Sequence, residues 1–264
     1  MTEIAEMVAA ANIADEKDKC PFCPDKNLKD CKAKKQEPVA KVVSKPDQLG
    51  CSPLSPKGDF SYTSAKHHLI SAKQCYAKLK RLVRMGSMAK YDVNDPPNGI
   101  PLSTVANNLR YTVGTTENGK YGKLSPSEKA TVAFGVMGVE KAQWHVGHHA
   151  VTIELVDRWA DEVEDAPWRR GHLVSYDSEV IGQLLKLMSK YQPEHDCDET
   201  KPDSFKSDMD NLSAEIKGKL NQFKKNSPGS SSPYFVSQLA ADYAKSKDAS
   251  PPAPVKKSRQ KSPA

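Results

Sequence analysis

The sequence predicts an α+β fold, mostly helical, with a modest core and disordered termini. Three observations predict it. Hydrophobic residues make up 38% of the 264 and the mean hydropathy is −0.65, too polar for one uniformly packed globule. Apolar residues recur at helical spacing in several separate segments. Extended character is confined to two short stretches, one near residues 66–70 and one after Asn98-Gly99.

Residues 1–15 have the makings of a short helix, and 32–59 are rich in Lys, Pro, Ser and Gly with little periodicity. Residues 1–59 therefore read as a cysteine-containing adaptor and linker. From Phe60 the composition shifts, giving a strand near 66–70 and a helix near 72–89. DVNDPPNGIPLS, with its paired prolines and Asn-Gly, is a turn leading into a short extended segment. Ser125, Pro126 and Glu128 form a capping-box signature at the start of the next helix. A helix following HVGHH carries Val151, Leu155, Val156 and Trp159 on one face, and closes a core of residues 60–160. Residues 161–247 are a helical extension, with helices at 178–191 and 204–225, a break at SPGSSSP, and one more in SPYFVSQLAADYAKSKD. Residues 248–264 are a basic Pro/Ser tail with no reason to fold.

The net charge of +6 and pI near 8.8 suit a polyanionic partner such as DNA. No apolar run approaches the ~18–20 residues that cross a bilayer, and the N-terminus is acidic before a short apolar stretch. A membrane anchor and a cleaved signal peptide are therefore not expected. Four cysteines, Cys20, Cys23, Cys31 and Cys51, crowd the N-terminal region. Without a leader they fit a structural zinc, a disulfide pair or plain thiols, and the spacing leaves the three open.

Six of the seven histidines lie between His67 and His172, and five fall in two clusters: Lys66-His67-His68-Leu69 and Trp144-His145-Val146-Gly147-His148-His149. Between them lies Asn94-Asp95-Pro96-Pro97-Asn98-Gly99-Ile100-Pro101-Leu102. Imidazole is both a common metal ligand and the side chain suited to proton transfer near neutral pH. His145 and His149, four apart, share one face of a helix; His145 and His148 are a rival pair.

This order of His-His, Asn in a Gly turn, and His-x3-His resembles the AHH branch of the HNH/endonuclease VII nucleases, which have a ββα-metal core. The resemblance spans roughly residues 60–160, with Lys66 interposed between Ala65 and the histidine pair. It implies a metal-dependent endonuclease, commonly the toxin module of a bacterial effector. By that resemblance His67, His145 and His149 ligate one divalent ion, zinc or magnesium, with nickel, cobalt or manganese as substitutes. His68 is then the general base that deprotonates the attacking water, and Asn98 holds the motif in register and orients the base. Phosphate contacts are expected from the basic stripe that includes Lys73, Arg81 and Arg84, and Trp144 is expected as a packing anchor. No base-reading motif is present, so cleavage is expected to be largely nonspecific.

The implied setting is an antibacterial effector exported without a cleaved signal peptide, by type VI or contact-dependent secretion, into the target-cell cytoplasm. Its implied partners are DNA, an acidic immunity protein and a secretion-apparatus component. Two rival readings accompany this one: a zinc-stabilised, non-enzymatic adaptor built on the cysteines, and an HNH endonuclease of a phage or mobile element.

Overall fold

The computed structural model describes residues 3–13, 17–31, 42–51, 62–104, 125–145, 174–191, 201–221 and 232–246. Among these the fold is α+β, with six α-helices and one two-stranded antiparallel sheet. The elements in chain order are α1 (Glu3–Ile13), β1 (Thr63–His68), α2 (Lys80–Met88), β2 (Gly99–Thr104), α3 (Pro126–Glu140), α4 (Val174–Ser189), α5 (Lys201–Asn221) and α6 (Gln238–Ser246). Two compact units divide the chain, each discontinuous in sequence. The helix expected after HVGHH and the basic tail from 248 lie outside the described residues.

The first unit comprises Met1–Ser52, Lys66–Ile100 and Val174–Lys219. Its α1 packs against α2 and α4. α2 begins at Lys80, well after the start expected at residue 72, because residues 71–79 form tight turns instead, including a 3-10 turn at Tyr76–Lys78. Leu79, at φ −104° and ψ 87°, is not helical and puts its side chain into the core. The first helical N–H then needs an acceptor. Asn12 of α1 supplies it: its Oδ1 accepts from Lys80 N at 2.9 Å while its Nδ2 donates to Lys78 O at 2.7 Å.

α5 buries Phe205, Met209, Leu212 and Ile216 along one stripe, the three- and four-residue spacing of an amphipathic helix. Phe205, Tyr191 and Phe22 meet edge to face with centroids 5.6–5.7 Å apart, tying the N-terminal loop to the C-terminal helices. Residues 42–51, expected as linker, carry a 3-10 turn at Pro46–Leu49 that packs against a second one at Pro96–Asn98. Leu49 fits there because Gly99 has no Cβ; one added would sit 2.7 Å from Leu49 Cβ and O.

The second unit comprises Pro53–Ala65, Pro101–Leu173 and Leu220–Ala264. α3 starts with the expected capping box: Ser125 Oγ accepts from Glu128 N, and the Glu128 carboxylate accepts from Ser125 N at 2.8 Å. Its stripe of Val132, Ala133, Val136 and Met137 packs with Leu239, Ala240, Tyr243 and Ala244 of α6 around Trp144. Ser237 caps α6 through Ala240 N and donates to Trp144 O at 2.6 Å. The carboxamide of Gln143 closes the unit, donating to Tyr234 O at 2.8 Å and accepting from Val236 N at 2.9 Å.

Replacing Gly by Ala inside a helix ordinarily stabilises by about 1 kcal/mol. At Gly86 of α2 a Cβ would lie 1.9 Å from Tyr76 Oη, and the Tyr76 ring is buried edge-on against Tyr91. Gly86→Ala is therefore expected to destabilise by about 1–3 kcal/mol, read as a lower urea midpoint. An unchanged or higher midpoint contradicts this packing.

Candidate functional site

His67 and His68 end β1, where the strand meets the turn that opens β2. The junction is held by Asn98. Leu69 N donates to Asn98 O at 2.9 Å, and the Asn98 side chain makes four further bonds. Its Nδ2 donates to Ile70 O at 3.0 Å and Val93 O at 2.7 Å; its Oδ1 accepts from Ile70 N at 2.7 Å and Ser213 Oγ at 3.3 Å. A carboxamide has two donors and one acceptor oxygen, and here all are engaged within a buried pocket. Asn98 thus fastens the strand end to the turn. The orienting bond to the expected base comes from another residue.

That residue is Asn94, which the sequence reading did not single out. His68 Nε2 lies 3.1 Å from Asn94 Oδ1, and both side chains are buried. Asn94 Nδ2 donates to Val43 O at 3.0 Å and Asp92 Oδ1 at 2.8 Å, while Oδ1 accepts from Lys45 N at 2.6 Å. These partners settle which amide atom is oxygen: a main-chain N–H needs an acceptor and a main-chain carbonyl needs a donor. Facing an acceptor, Nε2 is the nitrogen that carries the proton in the neutral imidazole. The signal in the sequence was the first asparagine of NDPPN, but nothing local distinguishes Asn94 from Asn98.

His67 is fully buried, with its ring edge-on to Tyr176 at a centroid distance of 6.0 Å and 72° between planes. Tyr176 in turn donates from Oη to Leu69 O at 2.8 Å, so α4 braces the same strand end. The two neighbouring histidines therefore have different surroundings, one against Tyr176 and one against Asn94, as alternation along a strand requires.

The second histidine motif begins in the other unit. Trp144 pairs with Ser103 of β2 in a parallel bridge, and His145 N donates to Ser103 O at 2.7 Å. Trp144 is fully buried in that unit's core, the packing role expected of it, and His145 is 4% exposed. His148 and His149 lie outside the described residues. Among the described residues, no group of three or more His, Cys, Asp and Glu side chains is arranged to hold a metal ion.

One expectation is corrected. Arg81 and Arg84 do not line a phosphate-facing stripe: both are buried, and their guanidiniums are committed to main-chain carbonyls. Arg81 donates to Pro21 O at 2.8 Å and Tyr191 O at 2.9 Å; Arg84 donates to Lys17 O at 2.8 Å and to Lys19 O. A buried guanidinium is stable only when so satisfied, which removes both from solution. Lys73 is exposed. The Cys20 and Cys31 sulfurs are 2.8 Å from each other, and Cys51 Sγ is 3.2 Å from the Cβ position of Gly99, with Lys66 and Lys217 nearby.

No family model matches the chain, and no curated protein or solved structure does.

Truncating Asn98 to Ala leaves Ile70 N, Ile70 O and Val93 O without their buried partner. Asn98→Ala is expected to lower the unfolding free energy by about 2–4 kcal/mol in urea titration. A loss below about 0.5 kcal/mol contradicts the fastening role.

Proposed function

We propose that the protein is a metal-dependent, largely sequence-nonspecific DNA endonuclease of the ββα-metal type. The observation that carries the reading is the His68–Asn94 hydrogen bond. It holds the His68 imidazole at a strand end, with Nε2 fixed against Asn94 Oδ1, and imidazole is the side chain suited to taking a proton near neutral pH. Phosphodiester hydrolysis needs a water activated in this way, and a fixed ring has no reorientation to complete before accepting the proton. Asn98 and Tyr176 support the same strand end from two sides, which favours a positioned base over a surface histidine.

The metal ligands are those that the resemblance supplies: His67, with His145 and His149 of the second motif. When bound, a divalent ion supplies charge neutralisation at the phosphate and at the leaving oxygen. The protein's residues hold and orient: His68 takes the proton of the water, Asn94 is a positioning residue for His68, and exposed Lys73 is available to the phosphate backbone. The role as an antibacterial effector, with an acidic immunity protein as partner, follows the same resemblance and the net charge of +6.

Plasmid DNA incubated with wild-type protein and Mg2+ or Zn2+ is expected to degrade to a smear, and to survive with EDTA. His68→Ala is expected to abolish cleavage while retaining the fold. Asn94→Ala is expected to lower kcat by about 10–100-fold with KM little changed, because it disturbs orientation and not binding. Intact DNA in every lane, from protein shown to be folded, overturns the reading and favours a non-enzymatic binding module.

A further inference from the structure

The cysteines of the first unit form a constellation that the nuclease reading does not use. Cys20-Pro21-Phe22-Cys23 is the loop of a small hairpin: Lys19 and Asn27 pair in an antiparallel bridge, Cys20 N donates to Lys26 O at 3.0 Å, and Leu28 N to Asp18 O at 2.8 Å. Within the loop, Cys23 N donates to Cys20 O at 3.1 Å and Lys26 N to Cys23 O at 2.9 Å, which turns both side chains inward. The 3-10 turn Leu28–Asp30 then returns the chain so that Cys31 Sγ lies 2.8 Å from Cys20 Sγ. All three cysteines are buried.

The surroundings are built to hold this loop and to accept negative charge in it. Arg81 and Arg84 bond the loop carbonyls, and Phe22 is fixed between Tyr191 and Phe205. Lys201 Nζ approaches Cys23 Sγ at 3.7 Å. Burial and the neighbouring Cys20 push the Cys23 thiol up, while the Lys201 ammonium pulls it down. Two adjacent buried sulfurs resist joint ionisation unless a cation sits between them.

We propose that, in the reduced protein, Cys20, Cys23 and Cys31 bind a zinc ion as thiolates, filling three positions of a closed structural site. Hairpin-borne Cys-x2-Cys pairs present sulfurs at chelating separation, and thiolates select a soft divalent ion. As the structure stands Cys31 is disulfide-bonded, so only Cys20 and Cys23 offer thiols, and no three-ligand group is assembled. A dithiol reductant delivers two electrons and two protons, opens that disulfide to two thiols and is itself oxidised to a disulfide. Zinc then displaces the thiol protons to solvent, so occupancy falls as pH falls. This site is independent of the proposed nuclease ion.

The test is metal analysis of full-length protein purified under reducing conditions, with cobalt titration as the optical probe. Wild type is expected to carry a zinc equivalent that Cys20→Ser and Cys23→Ser lose and that His67→Ala retains, and to show thiolate-to-cobalt charge-transfer absorption. Chelation of the reduced wild type is expected to lower its Tm. Zinc content unchanged in both serine variants overturns the proposal. Should those variants fail to fold, the cobalt spectrum of wild type decides alone, and absence of charge-transfer absorption overturns it.

Discussion

The buried carboxamide of Asn98 is the constraint on which the first unit's arrangement depends. It satisfies both main-chain groups of Ile70, the carbonyl of Val93 and the hydroxyl of Ser213, so one side chain joins the end of β1, the turn before β2 and α5. Each of those groups would cost about 1–3 kcal/mol if buried unpaired, so the carboxamide stabilises a junction that an isolated two-stranded sheet would hold only marginally. The adjacent Gly99 lets Leu49 close the turn from below. The histidine pair inherits its position from this junction, and Asn94, four residues earlier in the same turn, reaches His68 because Asn98 has already set the register.

A second polar network serves the other end of the unit. Four carbonyls of residues 17–21 and 191 converge on two arginines of α2, and the aromatic trio of Phe22, Tyr191 and Phe205 packs beside them. The cysteine hairpin is therefore part of the same folded body as the histidine pair, and not a separate adaptor hung on a linker. A charged residue spent inside in this way costs desolvation that its hydrogen bonds must offset, so these bonds fix the orientation of α2 while Leu82, Met85 and Met88 bury its apolar face.

What the sequence revealed follows from the range of each interaction. The capping box of α3 is local, with Ser125, Pro126 and Glu128 all within one turn, and its start was legible to the residue. The amphipathic stripe of α5 was legible for the same reason. The start of α2 was not, because its cap is Asn12, a partner 68 residues away, and because Leu79 leaves helical geometry to reach the core. Arg81 and Arg84 read as part of a phosphate-contacting basic stripe since nothing in their own helix shows that the N-terminal loop covers them. At the site, His67, His68 and Asn98 stood out by motif, whereas Asn94 emerged only when Lys45, Val43 and His68 were seen to converge on one amide.

The most direct test of the account is nitrogen NMR of the folded protein with isotope-labelled histidine, reading the tautomer of the neutral His68 ring. A protonated Nε2 and an unprotonated Nδ1, lost as a preference when Asn94 is replaced by Ala, is the predicted result. A proton on Nδ1 in the wild type would mean that Asn94 does not hold the ring, and would contradict the account of His68 as the positioned base.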